Sequence, residues 1–124
     1  MKRRNYILFN EDITESIEKI ERYIEGSNFE SFKNNELVKD AVFRNLEIIG
    51  ETSNNIPDEI RMKYTDIQWK RMIGLRNVVI HAYFGIDVSI IWEIIKKNLP
   101  DTKPNIIKML SIERKKGLNN NDKP

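Results

Sequence analysis

The stretch NELVKDAVFRNLEIIGETSN, residues 35–54, decides the architecture. Leu37, Ala41, Ile48 and Thr52 mark one stripe at helical spacing, and Val38, Val42, Leu46 and Ile49 widen it. A surface helix needs a single apolar stripe, so this width calls for burial on more than one side. The spacing predicts the central helix of a bundle. One row resists that description: Arg44, Glu47 and Glu51 follow at spacings of three and four and share a face. Such a row is either an intrahelical ion-pair ladder on the surface or a set of charged groups turned toward a functional site.

Toward the N-terminus, Ile13, Ile17, Ile20 and Ile24 recur at helical spacing among acidic and basic residues, predicting a helix over residues 6–25. Gly26, Ser27 and Asn28 stop it, and FESFKNN (residues 29–35) reads as a short helical turn. Beyond the central helix, Asn54, Asn55 and Pro57 break the pattern, and Pro57 suits the first turn of a short helix in PDEIRMKY. Asp66 is the expected N-cap of a helix running through Trp69, Met72 and Ile73 toward His81. Gly85 and Asp87 form a turn, a fourth helix covers residues 87–98, and Pro100 opens a last helix carrying Ile106, Ile107, Leu110 and Ile112. The reading is an all-α bundle of four to five helices in a single domain over residues 1–113. A polar tail over residues 114–124, expected to be disordered, follows it.

Composition narrows the function. The chain has 124 residues, no cysteine and one histidine. Disulfides, thiolate metal sites and multi-histidine metal motifs within one chain are therefore excluded. No apolar run approaches the ~20 residues that span a membrane, and the start MKRRNYILFNED has too short an apolar patch for a signal peptide. A soluble, cytoplasmic protein is expected. The net charge of +2 is too small to argue for nucleic acid. Its distribution says more: Arg61, Lys63, Lys70, Arg71 and Arg76 precede His81 and are opposed only by Asp66.

That basic run leads into IGLRNVVIHAYFG, residues 73–85, where Arg76, His81 and Tyr83 sit among Leu75, Val78, Val79, Ile80 and Phe84. Histidine titrates near neutrality and can exchange a proton with a ribose 2′-hydroxyl or a leaving 5′-oxygen. Arginine stays charged and can hold phosphate oxygens bidentately. Asn77 can donate a further hydrogen bond, and Tyr83 can donate one or stack on a base. Arg76 and His81 are thus candidate catalytic residues for phosphodiester cleavage without a metal. On a regular helix, however, five residues separate them by roughly 140°. They share a site only if the helix ends near His81 or if two chains build it together. One histidine supplies an acid or a base but not both, and a two-fold dimer supplies the pair. Spacing alone is a weak signal, because an arginine five residues before a histidine arises by chance about once in twenty. The plainer alternative is a structural histidine whose hydrogen bonds are satisfied at a helix end.

The run RNVVIHAY is similar to the Arg-x-x-x-x-His-x-Tyr motif of HepT-like toxins in the HEPN (higher eukaryotes and prokaryotes nucleotide-binding) superfamily. DAVFRNLEIIGE, IPDEIRMKY, IQWKRMIGLRN and YFGIDVSIIWEIIKKNLP resemble that family in the same order, so the likeness extends from about residue 6 to 110. The resemblance implies a HEPN-like helical bundle forming a homodimer, with two motifs facing each other across a cleft. It further implies a metal-independent endoribonuclease toxin that needs no cofactor. Its antitoxin would be a nucleotidyltransferase of the MNT type, which adds AMP to the tyrosine matching Tyr83. Arg76 and His81 would carry catalysis and Asn77 would support the phosphate. Arg44, Glu47 and Glu51 match the family's polar row and would orient those groups. A non-catalytic subunit that binds a nucleotide or the nucleotidyltransferase is the competing function. A purely structural dimer is a third, and it leaves the polar trio unexplained.

Overall fold

Two of the helices begin where the sequence supplies a side-chain cap. In the computed structural model, which describes residues 3–85 and 87–121, all the regular structure of the described residues is helical. Helix α1 (Arg3–Tyr23) buries Ile13, Ile17 and Ile20 in one row and stops at Gly26, whose φ of 77° favours glycine. Asn28 then caps α2 (Phe29–Lys33): its side chain accepts from the Ser31 N–H at 2.9 Å while the Ser31 hydroxyl accepts from the Asn28 N–H at 3.0 Å. Asn35 caps the central helix α3 (Glu36–Asn55) by accepting from the Val38 N–H at 3.1 Å. Further on lie α4 (Asp58–Arg61), α5 (Trp69–Ile73), α6 (Leu75–Tyr83) and α7 (Val88–Glu93). A π-helical turn (Ile94–Asn98) joins α7 to α8 (Leu99–Asn121).

The wide stripe of α3 is used as its width predicts. Val42, Leu46 and Ile49 are fully buried, with α1 packed on one side of the helix and α5 and α6 on another; α1 in turn packs against α8. Each such side chain contributes about 1.5–3 kcal/mol when removed from water. Phe32 of α2, also fully buried, meets the Trp92 ring at 5.2 Å and closes α2 onto α7. No helix among the described residues is long and apolar enough to cross a membrane.

Three expectations need correction. Asp66 caps nothing: it lies in a turn, and α5 starts only at Trp69, where Gln68 makes no side-chain cap bond. Burial of Ile67 and Trp69 sets that start, and the Trp69 indole donates to the Tyr64 carbonyl at 3.1 Å. Nor does one helix run to His81, because the chain turns at Gly74 between α5 and α6. There α3 passes backbone to backbone. A Cβ on Gly50 would sit 3.1 Å from the Arg76 nitrogen and 3.3 Å from the Met72 carbonyl oxygen.

The third correction concerns what precedes α8: Pro100 lies in its first turn as expected, but no break separates that helix from α7. The Leu99 N–H bonds to the carbonyl of Ile94, five residues back, and this wider turn carries the chain from α7 into α8 without a break. The extra residue relieves the clash that a proline ring makes with the carbonyl four residues earlier. Helix α8 also continues through residues 114–121 of the stretch expected to be disordered; residues 122–124 of that tail lie outside the described residues. Glu113 explains the continuation. Its carboxylate is buried and accepts hydrogen bonds from the Tyr6 hydroxyl at 3.2 Å and from the Tyr64 hydroxyl, with the Lys116 ammonium at 3.5 Å. Arg114 pairs with Glu11 of α1 at 3.1 Å.

Candidate active site

Helix α6 is short, and its phases divide the candidate residues cleanly. Leu75, Val79 and Ala82 form the buried stripe. Everything opposite is exposed: Arg76, Asn77, Ile80, His81, Tyr83 and, just past the helix, Phe84. Arg76, Ile80 and Tyr83 follow at i, i+4 and i+7 and make one row; Asn77 and His81 make the next. Because α6 stays regular to Tyr83, Arg76 and His81 remain roughly 140° apart, on opposite flanks of one crest. The structure therefore does not bring them together within a single chain. It groups Arg76 with Tyr83, and Asn77 with His81.

The flank carrying Tyr83 lies against α3. The Tyr83 ring meets the Phe43 ring edge-on, with centroids 5.0 Å apart. Its phenol is held above its ordinary pKa, first by partial burial and then by the Glu47 and Asp40 carboxylates, with Arg44 pulling the other way. The polar row of α3 is thus turned toward Tyr83 for Arg44 and Glu47. Glu51 is exposed, one turn farther along. Arg44 forms no ion pair with Glu47, Glu51 or any other described residue, so the row is not an intrahelical ladder.

The Arg76 guanidinium and the His81 imidazole are also without a hydrogen-bond or ion-pair partner among the described residues. His81 is exposed, so its ring nitrogens face solvent rather than a protein partner. Asp40 and Phe43, which frame Tyr83, escaped the sequence reading. Asp40 stands four residues before Arg44 and extends the polar row, a usable signal; nothing in the sequence marks Phe43.

The crest of α6 is apolar. Ile80 and Phe84 are 43% and 79% exposed, and Leu37, at the end of α3 that Tyr83 approaches, is 81% exposed. Three polar side chains without an ion-pair partner among the described residues, Arg44, Arg76 and His81, therefore stand near exposed apolar residues that no other described residue covers. A cleft of about 530 Å³ lies elsewhere, on the far flank of α5 and α6; it takes in Arg71 and Val78 but neither Arg76 nor His81.

Residues 13–109 match the family model described as ribonuclease HepT-like. A Methanocaldococcus jannaschii protein named as a candidate RNase is 40% identical over 106 residues, covering 86% of this chain and 97% of its own length. A Thermococcus cleftensis protein named as a candidate ribonuclease HepT is 39% identical over 107 residues, again covering 86% and 97%. A longer M. jannaschii protein, named as a γ-glutamylcyclotransferase and candidate RNase, is 39% identical over 118 residues. Those residues are 95% of this chain and 53% of that protein, so the chain spans about half of its length. No solved structure matches significantly.

Proposed function

This chain belongs to the HepT-like ribonuclease family, and on that footing we propose that it is a metal-independent endoribonuclease whose site is completed by a second copy. One observation carries the reading. Arg76 and His81 are exposed, without a partner among the described residues, and set on opposite flanks of an apolar crest. A two-fold contact across Ile80 and Phe84 sets the His81 flank of each copy beside the Arg76 flank of the other, and it buries the apolar strip. The paired site then holds two imidazoles and two guanidiniums.

The chemistry follows from that inventory. One His81 takes the proton of a ribose 2′-hydroxyl as its oxygen attacks the adjacent phosphorus. The other His81, protonated, returns a proton to the departing 5′-oxygen. The products are a 2′,3′-cyclic phosphate and a 5′-hydroxyl. Arg76 neutralises charge on the phosphorane-like transition state, Asn77 adds a donor, and Arg44 and Glu47 orient the groups beside them. Glu51 belongs to the same orienting row at its outer end.

The same reading makes the protein the toxin of a toxin–antitoxin pair, silenced by an MNT-type nucleotidyltransferase. The Tyr83 oxygen attacks the α-phosphorus of ATP, pyrophosphate leaves, and the phenolic proton is lost. Tyr83 is half exposed, so its hydroxyl can be reached. A phenol is protonated at neutral pH, so the transfer needs a base. The competing reading, a non-catalytic subunit that docks the nucleotidyltransferase, draws on the same exposed Ile80 and Phe84.

Cleavage of total RNA in EDTA by wild type and His81→Ala, both checked for dimerisation, tests the proposal. Cutting by the wild type alone, with 2′,3′-cyclic phosphate ends, supports it. Ends bearing 5′-phosphate, made only with Mg²⁺, refute it. Inactivity of unmodified wild type makes the docking subunit the better account.

A further inference from the structure

The cleft beside α5 and α6 has the composition of a ligand site. Its volume, about 530 Å³, lies within the range of small-molecule pockets. Met72, Leu75, Val78 and Ile94 give it apolar walls, and charged groups of both signs stand at its rim: Arg71 on α5, Glu93 on α7 and Asp101 on α8. None of those three has an ion-pair or hydrogen-bond partner among the described residues. Opposite charges that line one cleft without pairing leave both donors and acceptors open to an occupant. Both backbone irregularities of the fold also border this space. Gly74, where α5 gives way to α6, lines one wall, and Ile94 and Asn98 of the π-helical turn line the other. Segments of π-helix cluster at functional sites.

The cleft also lies on the right flank. Val78 lines it, and His81 follows three residues later, on the neighbouring surface of the same helix. We infer that this cleft receives one unstacked base of the RNA next to the cut, with its Watson–Crick edge toward Glu93 and Asp101 and a phosphate at Arg71. The inference rests on the ribonuclease reading for its substrate. Carboxylates accept from base N–H groups, and guanine offers two adjacent ones, at N1 and the exocyclic amine. Uracil offers a single N–H between two carbonyls. Apolar walls suit the two faces of a base, as in other sites that read single-stranded RNA. The cleft therefore selects guanosine over uridine at one position beside the scissile phosphate.

The test is cleavage, in EDTA, of short RNAs that differ only in the base flanking the cut. Wild type is compared with Arg71→Ala and with the double variant Glu93→Gln/Asp101→Asn; all three residues are exposed, so these variants fold. Wild type is expected to cut the guanosine substrate about tenfold faster than the uridine one, a factor typical of one good base contact. The double variant loses that preference and cuts both substrates at similar rates. Arg71→Ala raises KM equally for all substrates and reduces the salt dependence of binding by about one phosphate contact. Equal base preference in wild type and double variant, with both active, overturns the inference and leaves the nuclease standing. If no protein cuts RNA, guanosine and uridine monophosphates are titrated while the Met72, Leu75 and Val78 methyl resonances are followed. Shifts with the guanosine nucleotide, absent in the double variant, support the cleft without the nuclease. Methyls that ignore both nucleotides, or that respond only to protein concentration because a second copy fills the cleft, overturn it.

Discussion

Replacing Gly50 with alanine tests whether the register between α3 and α6 is set by backbone contact. Two effects oppose each other. Alanine in mid-helix is favoured over glycine by about 1 kcal/mol. Against that, the added Cβ would lie 3.1 Å from the Arg76 nitrogen, 3.3 Å from the Met72 carbonyl oxygen and 3.4 Å from that of Ile73. All three are backbone atoms, so no side-chain rotation relieves them. The start of α6 must move away by a few tenths of an ångström, and overpacking of this kind costs about 1–3 kcal/mol. Taking the middle of that range, the clash outweighs the propensity gain by about 1 kcal/mol.

Gly50→Ala is therefore expected to unfold at lower urea concentration, with a melting temperature lower by about 4 °C. The displacement falls on Arg76 itself. RNA cleavage per folded molecule should drop below that of a control matched in stability but altered far from α6, such as Ile17→Val. Urea titration followed by circular dichroism, with cleavage assayed well below the melting point, separates the two effects. A variant that is more stable than wild type and fully active would refute the reasoning: the helices would then slip freely, and Gly50 would not hold the site in register.

Four other outcomes are expected. Arg76→Lys keeps the charge but loses the two-pronged grip on phosphate; kcat should fall by about tenfold to a hundredfold, with KM little changed, in steady-state cleavage of a defined RNA. Ile80→Ser with Phe84→Ser should leave the fold intact, produce monomers in sedimentation and abolish cleavage, because neither residue belongs to the core. Glu113 should set the acid limit of stability. Burial pushes its carboxyl up, but the Tyr64 hydrogen bond, Lys116, the Tyr6 hydrogen bond and Lys63 outweigh that and leave it below its ordinary value. A depressed carboxyl stabilises the fold above its unfolded pKa, and that stabilisation fades as pH falls through the lower folded value. Glu113→Gln should flatten the acid arm of the stability curve measured by urea titration. Tyr64, whose pKa is raised, contributes the opposite arm, stabilising below about pH 10 and less above it, so Tyr64→Phe should flatten that side.

What the sequence made legible was local. The isoleucine row of α1, the stop at Gly26 and the span of α3 follow from periodicity and turn chemistry, and each stands within a few residues of its expected place. The misplaced boundaries have distant causes. The break at Gly74 answers to Gly50, which lies on another helix. The continuity through Pro100 depends on a π-helical turn that no propensity signals. Helix α8 outlasts its apolar pattern because Glu113, a residue that reads as surface, is buried under two tyrosine hydroxyls from other segments. At the site, helical phase was enough to separate Arg76 from His81. Placing Arg44 and Glu47 beside Tyr83 required the register of α3 against α6, and their lack of ion pairs could be learned only from coordinates.

That register gives the proposed modification a direct route to inhibition. Tyr83 follows Arg76 by seven residues on the same row, about 10 Å along the helix axis. Helical side chains lean toward the N-terminus, the direction in which Arg76 lies on that row, while the Tyr83 ring itself packs on Phe43 of α3 beside Glu47 and Arg44. A phosphate joined to the Tyr83 oxygen therefore lies over the Arg76 flank rather than the His81 flank. It meets a guanidinium that has no ion-pair partner of its own among the described residues. The bound phosphate would take the place of the RNA phosphate at Arg76, while His81, around the crest, keeps its proton chemistry. In a two-fold site this has a consequence for stoichiometry. In the proposed dimer one site would hold two guanidiniums and two imidazoles, so modification of one chain would block one Arg76 and leave both histidines free. Silencing then tracks the number of blocked arginines, and a dimer modified on one chain only should retain an unblocked Arg76.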